Sequence, residues 1–423
     1  MDSLLLQKPR RDFRSSETAG HVLRAGDSID TAAFSKMRRR SILEGCKWDS
    51  QVGDETTLAR FPLIIRGVEW EKISAMAEQL ATEAAAAAEE IVMRSELISV
   101  LGFPAALYRA LSGRAPLSPS AGQVVRFDFH YTTEGWRISE ANSDVPGGYT
   151  ESSHFTAMMA SHFPRLRMTG NPVETWAAAL AVAAGPGGVF ALLSAPGFME
   201  DHQVISFLAG RLREHGCATH LAKPEQIIWR DGAAFLDTAC HRGPLDAIVR
   251  FYQAEWIARL PRWTNWKYFF RGGKTLVASC GRSVIPESKR FPLTWESLRT
   301  PMRTWRALLP ETRDPRDVSL SRDDGWLLKP AMCNTGDSVN IRLAMPRREW
   351  MKTRLAATLF PGKWVAQRRF ESLPVPTPLG PHHACVGIYT VNGKTAGAYA
   401  RLSEKPVVDF AATDVAFLVD HDD

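Results

Sequence analysis

A guanidinium, two carboxylates and an amide recur at every second residue in Arg126, Asp128, Glu140 and Asn142, within RFDFHYTTEGWRISEAN, a stretch that otherwise reads as a β-hairpin. Side chains two apart on a strand share a face. The natural connection is a three-residue loop, Thr133-Glu134-Gly135, because a type I turn followed by a left-handed residue favours glycine last. That loop sets Thr132 opposite Trp136, Asp128 opposite Glu140 and Arg126 opposite Asn142. Phe127, Phe129 and Tyr131 then cover the other face, against the smaller Ser139 and Ala141.

Carboxylates facing each other at about 5 Å repel unless a positive charge lies between them. A divalent cation would relieve the pair, and a donor set made only of oxygens suits Mg²⁺, which takes its other ligands from water and nucleotide phosphates. Arg126 would then face anionic reactants. A lone acidic pair would be read as a solvated face with a surface Arg–Asp contact; four polar groups in register go beyond that. Removing either acid is expected to leave the hairpin folded.

The elements around the hairpin follow from periodicity. Ile73 to Leu101 is rich in Ala, Glu and Leu without Gly or Pro, and predicts one long helix ended by GFP at 102–104. The AAGPGG break at 183–188 precedes VFALLSA, a continuous apolar run of the buried parallel type. Val204, Phe207, Leu208 and Leu212 then recur at helical spacing before a strand near CATHLA, so 188 to about 222 reads as strand, helix, strand, with a further strand over 246–252. Asn392-Gly393 marks a tight hairpin in the C-terminal part. The expected division is a polar, basic arm over 1–45 that includes KMRRR, a helical region with the hairpin over 46–182, an α/β segment over 183–250, and a final portion over 251–423.

No run of apolar residues is long enough to span a membrane, and six scattered cysteines without a CxxC pair suit reduced thiols in the cytoplasm. A net charge of +6 accommodates an anionic small ligand, and no nucleic-acid module accompanies the basic run, so neither nucleic acid nor membrane is expected as a partner. YFFRGGKT lacks the first glycine of a phosphate loop, SAPGFMED has one glycine where a dinucleotide fingerprint has three, and His215, Cys217 and His220 lack a fourth metal ligand.

The stretch RFDFHYTTEGWRISEANSDVPGGYTES resembles the metal-binding hairpin of the glutathionylspermidine synthase-like enzymes, the circularly permuted ATP-grasp ligases. PESKRFPLTWE (286–296), GWLLKPAMCNTGDSVNI (325–341), KWVAQRRF (363–370) and GIYTVNGKTAGAYARLS (387–403) resemble that family's nucleotide-binding segments in the same order, so the likeness covers most of 46–423. It implies an α/β (α+β) ATP-grasp fold with a Rossmann-like pre-ATP-grasp segment. It implies magnesium at Asp128, Glu140 and Asn142, ATP phosphates at Lys289 and Lys329, adenine near Gln367, and an oxyanion held by Arg126 and Arg401.

Lys329 follows the apolar WLL and is read independently as a compact charge at a strand end suited to phosphate. Gly336 and Asp337 supply a flexible backbone cover for phosphates. The implied activity is ADP-forming ligation of a small-molecule, peptide or carrier-bound carboxylate to an amine. The alternative is an ATP-binding scaffold or carrier-recognition protein without catalysis. The chain departs from the family in two places. Cys333-Asn334 stands where many relatives have Gly-Arg, and SDVPGGYTES replaces the Ser- and Cys-rich loop of glutathione-using members, which argues against glutathione as substrate.

Overall fold

Helix α1, Gly67–Val92, buries Trp70, Ile73, Ala77, Leu80, Ala84, Ala87 and Ile91 on one side. The steps of three and four residues make a single stripe, and its alanines let neighbouring strands approach closely. The computed structural model describes residues 20–52, 55–112, 122–333, 339–408 and 411–422. The expected single helix over 73–101 is two: α1 starts earlier, and a short helix, Ser95–Val100, follows it. Between them Arg94 turns extended, and its guanidinium donates to the Ser297 carbonyl at 2.6 Å.

Strands β1, Val124–Thr132, and β2, Gly135–Asn142, form the hairpin. A four-stranded parallel sheet comes next. It contains β3 (Val189–Leu193), β4 (Ala218–Ala222), β5 (Ala247–Arg250) and β6 (Leu276–Ala278), ordered β6-β5-β3-β4, with helix α2 (Met199–Glu214) crossing from β3 to β4. This is the strand, helix, strand unit read from the sequence. Strand β7, Trp326–Pro330, pairs antiparallel with β8, Trp364–Arg368, in a second small sheet backed by helix α3, Arg347–Leu359. Trp350 and Ala357 of α3 cluster there with Leu328 and Ala366.

The long strands β9, Gly380–Val391, and β10, Lys394–Ser403, turn on Asn392 and Gly393, both at positive φ as that turn requires. With β11, Thr413–Val415, they form an antiparallel sheet ordered β11-β10-β9-β1-β2, and a sixth strand, Pro374–Thr377, pairs with the start of β9. The early hairpin is thus stitched onto strands from the end of the chain. One large core joins α1 and the apolar face of this sheet to part of the parallel sheet.

The arm expected over 1–45 is an integral part of the fold from residue 20. Leu23–Ala25 pairs with Leu63–Arg66, and KMRRR lies on helix Thr31–Leu43, whose Phe34 and Met37 are buried. Two apolar residues one turn apart suffice to dock a helix otherwise covered in arginine. No helix among the described residues is long and apolar enough to cross a membrane.

Arg250, at the end of β5, is completely buried. It forms an ion pair with Asp144, just beyond β2, and donates to the Tyr252 carbonyl (2.6 Å) and the Ser279 carbonyl (2.8 Å). The second Asp144 oxygen accepts the Ala254 N–H at 2.7 Å. Removing one partner of such a pair strands a buried charge, so Arg250→Leu is expected to lower the unfolding free energy by about 3–5 kcal/mol, read from urea denaturation midpoints.

Candidate active site

The hairpin keeps the expected register at its working end by a different route. Asp128 faces Glu140 and Arg126 faces Asn142, but the turn holds only Thr133-Glu134, with Thr132 opposite Gly135. A bulge at Ser139 supplies the compensating residue. Ser139, expected among the packed side chains, therefore joins the polar face. Its hydroxyl lies 3.1 Å from His130 Nε2, and its carbonyl accepts the Lys329 ammonium at 3.1 Å. Phe127 and Phe129 cover the core as expected and meet Trp305 and Trp136 edge-on.

The two acids are neutralised by protein cations. Arg126 forks onto Asp128, Nε to Oδ1 at 2.7 Å and Nη2 to Oδ2 at 3.0 Å, and Asn142 Nδ2 donates to the same Oδ2 at 3.1 Å. Lys289 Nζ lies 3.2 Å from Glu140 and 3.6 Å from Glu287. Burial works to raise the Glu140 carboxyl, but Lys289, Lys329 and Arg126 outweigh it and hold it down at about 2. Burial likewise works against the Lys289 ammonium, and Glu140 with Glu287 keeps it above its usual range. Lys329 is pushed below its usual value, chiefly by burial. Burial also holds His130 neutral, down at about 4. The expectation that either acid could be removed at no cost to the fold is corrected: truncating Asp128 would strand the buried Arg126.

These groups line one cavity of about 420 Å³. Arg126, Asp128, Glu140, Asn142, Lys329, Gln367 and Arg401 all border it, whereas Lys289 lies behind Glu140 and is not part of the lining. Gln367 Nε2 donates to Thr312 Oγ1 at 3.0 Å. Gly336 and Asp337, with Asn334, lie outside the described residues. Cys333 is buried, and burial raises its thiol to about 11, so it sits protonated.

Two glycines make room at the centre. A Cβ on Gly387, the ladder partner of Asp128, would meet both Arg126 Cδ and Tyr399 Cε1 at 2.9 Å. Gly148, at φ +89°, would meet the Tyr389 hydroxyl at 2.6 Å. The Tyr399 ring lies 5.5 Å from the Arg126 guanidinium carbon, and Arg126 Nη1 also donates to the Gly147 carbonyl at 3.1 Å.

The far side of the cavity was not read from the sequence. Lys47, almost fully buried, pairs with Glu151, with Asp49 at 2.9 Å and with Asp414 at 3.3 Å. Asp414 is the ladder partner of Arg401. Glu200 and Asp201, in the first turn of α2, border the same end. Burial, then Glu200 and Asp144, pushes the Asp201 carboxyl well up, and its Oδ2 has no hydrogen-bond partner among the described residues. Ladder order separates Glu140 from Asp414 by four strand spacings, about 19 Å. A signal for Glu200 and Asp201 was available, since they follow the carboxyl end of a parallel strand, where open α/β sheets bind ligands. Lys47 sits in a loop with no pattern to mark it.

Asp128, Glu140 and Asn142 fit a hard cation by donor type: all three face the cavity, Glu140 is ionised, and the Asn142 amide oxygen is not used in its contact with Asp128. Among the described residues no group of three or more His, Cys, Asp or Glu could hold a metal, so the fit depends on that amide. The set-aside zinc cluster stays apart: His215 pairs with Glu174 at 2.7 Å and His220 stacks on His241.

The chain matches the model of the glutathionylspermidine synthase preATP-grasp family over residues 44–420 and belongs to that family. Among solved structures it is similar to a glutathione synthetase-like effector from Globodera pallida in its apo form, at 11% identity and a TM-score of 0.61, over 91% of this chain and 96% of that one. At that identity the likeness concerns the fold, a mixed α/β arrangement of several sheets like that of glutathione synthetase. No curated protein matches the chain in sequence. Membership of the family points in general terms to an ATP-dependent ligase.

Glu140, with a folded value below its ordinary 4.5, contributes stability that is full above about pH 4.5 and lost as pH falls through about 2. Lys289→Met should remove the largest part of that contribution, leaving Lys329 and Arg126, and destabilise the fold by about 3 kcal/mol at neutral pH, measured by denaturation across pH. Unchanged stability would return Lys289 to a role in holding nucleotide alone.

Proposed function

We propose that this protein is an ADP-forming carboxylate–amine ligase with a circularly permuted ATP-grasp core, working through an acyl phosphate. The observation that carries the reading is the convergence of Arg126, Asp128, Glu140 and Asn142 from the early hairpin with Lys329, Gln367 and Arg401 from the last hundred residues on one cavity. The pairing of β1 onto β9 supports the permuted order, since it builds the site's sheet from opposite ends of the sequence. The reading takes 183–250 as the pre-ATP-grasp segment and 251–423 as the ATP-binding part. It also takes the cytoplasm as the setting, in keeping with six free thiols.

In this reading ATP lies against β7 and β8, with Lys329 on its phosphates, Gln367 toward the adenine, and Lys289 acting through Glu140. Magnesium, when bound by Asp128, Glu140 and Asn142, would supply positive charge beside the phosphates. Arg126 and Arg401 orient the substrate carboxylate. A carboxylate oxygen attacks the γ-phosphorus and the bond to ADP breaks; the neutral amine nitrogen then attacks the acyl carbon and phosphate leaves. Arg126 and Arg401 hold the oxyanion formed between those events. The acidic end, with Glu151, Glu200 and Asp201, suits the amine: burial raises all three carboxyls, which fits one of them to accept the proton released on attack.

Trapping decides the chemistry. Incubation with Mg-ATP, hydroxylamine and a panel of small acids and peptides should yield a hydroxamate and ADP in equal amounts, read by mass spectrometry. A thermal shift with Mg-ATP but no hydroxamate from any acid would leave a nucleotide-binding protein in place of a ligase. Asp128→Asn and Glu140→Gln, which keep the side-chain shape but leave Arg126 or Lys289 without its counter-charge, should each lower ADP formation by at least about 100-fold, assayed well below the melting temperature of each variant so that the loss is read on folded protein. Arg401→Ala should lower kcat by on the order of 10² to 10³ with a smaller change in the KM for ATP; equal losses in both would make Arg401 a nucleotide ligand.

A further inference from the structure

Five of the large apolar side chains that stand exposed fall within eighteen residues around α3: Leu343 (68%), Met351 (50%), Leu355 (58%), Leu359 (62%) and Phe360 (64%). The other exposed ones are scattered singly, as is ordinary for a protein surface. Met351, Leu355 and Leu359 follow at steps of four and so form one ridge, on the side of α3 away from the Trp350 and Ala357 that dock it to its sheet. Arg347, Arg348 and Lys352 are exposed beside it, with Arg354 half-buried on its flank. The one acid on the helix, Glu349, is taken by Lys352 at 2.8 Å, and the three arginines form no ion pair with any described residue.

An apolar ridge with a cationic border calls for an anionic partner that also takes up hydrocarbon. A second copy would bring the same arginines against these. The chain's own first nineteen residues carry four basic and three acidic side chains and so offer no complement. A protein groove would have to close around α3, whose inner side is fixed to the sheet and whose ends run into the 3₁₀ turns Arg342–Ala344 and Pro361–Lys363. A fluid surface needs access from one side only. We propose that α3 is a peripheral membrane-docking element, laying Met351, Leu355, Leu359 and Phe360 into the acyl boundary of an anionic bilayer while Arg347, Arg348 and Arg354 meet the headgroups. This departs from the expectation of no membrane partner, which rested on the lack of an apolar run long enough to span a bilayer; a surface helix needs no such run. The cavity lies on the opposite face of the β7–β8 sheet, since Leu327, Lys329 and Gln367 line it while Leu328 and Ala366 pack under α3. Docking would therefore leave the site open and is independent of the ligase reading.

The experiment is sedimentation of the full chain with vesicles of phosphatidylcholine alone and of an equal mixture with phosphatidylglycerol. Binding is expected to the mixed vesicles only and should weaken as salt rises. It should fall at least about tenfold in Leu355→Ser/Leu359→Ser and in Arg347→Glu/Arg348→Glu. Both pairs are surface changes outside the cavity, so ATP turnover should be unaltered. Absence of binding to mixed vesicles, or binding that both double variants retain in full, overturns the proposal. So does a concentration-dependent dimer abolished by Leu355→Ser/Leu359→Ser, which would seat a second copy on the ridge. Tighter capture of a Glu-rich amphipathic peptide than of mixed vesicles would make the occupant a protein and overturn it as well.

Discussion

The site depends on holding two carboxyl groups face to face across a ladder in a largely buried place, each against a cation of its own. Each acid has its own cation on its own side: Arg126 on Asp128 and Lys289 on Glu140. Breaking a buried pair costs more than the pair contributes, so these contacts confer position more than stability. Both acids are thereby held as oxygen donors in fixed places, the condition for meeting a hard cation or an anionic substrate with little rearrangement. Much of the surroundings follows from this demand. The glycine at 387 leaves space for the guanidinium, Tyr399 packs against it, and the Gly147 carbonyl accepts from its Nη1.

A second consequence is that the hairpin could not be an ordinary one. A two-residue turn with unbroken alternation would have moved Glu140 out of register with Asp128 and onto the other face. The bulge at Ser139 restores the pairing and also frees a backbone carbonyl, which Lys329 reaches from the β7–β8 sheet. One extra residue therefore sets the register of the acids and joins two sheets that share no strand. Lys329 is consequently tethered, and burial lowers its affinity for a proton, so an anion entering the cavity would meet an ammonium already desolvated.

What was legible in the sequence follows from how local each signal is. The parallel unit over 188–222 and the turn at Asn392-Gly393 were visible because periodicity and turn chemistry are written in neighbouring residues. The facing of Asp128 and Glu140 was also visible, although two errors cancelled: a loop one residue too long stood in for a bulge that leaves no mark in side-chain type. The cations that neutralise the acids were legible only in part. Arg126 sits two residues from its partner, but Lys289 is 149 residues from Glu140, and Lys47 meets Asp414 across 367. Spacing carries no information at such separations. The docked helix at Thr31–Leu43 was missed for another reason: two buried apolar residues, Phe34 and Met37, are too few to register as a pattern among arginines.

The charge distribution along the cavity gives the site a direction. Lysine, arginine and the hairpin oxygens occupy the β2 side, and Glu151, Glu200 and Asp201 gather beyond Arg401 on the β11 side, with Asp414 joining the two by facing both Lys47 and Arg401. An ion of either sign entering such a cleft is drawn to one end and repelled from the other. A reaction that brings a polyanion and an amine to the same carboxyl group needs that sorting, because the two would otherwise pair with each other in solution. Lys47 holds the arrangement together: without its charge, Asp49, Glu151 and Asp414 would face one another with nothing between them to offset their repulsion.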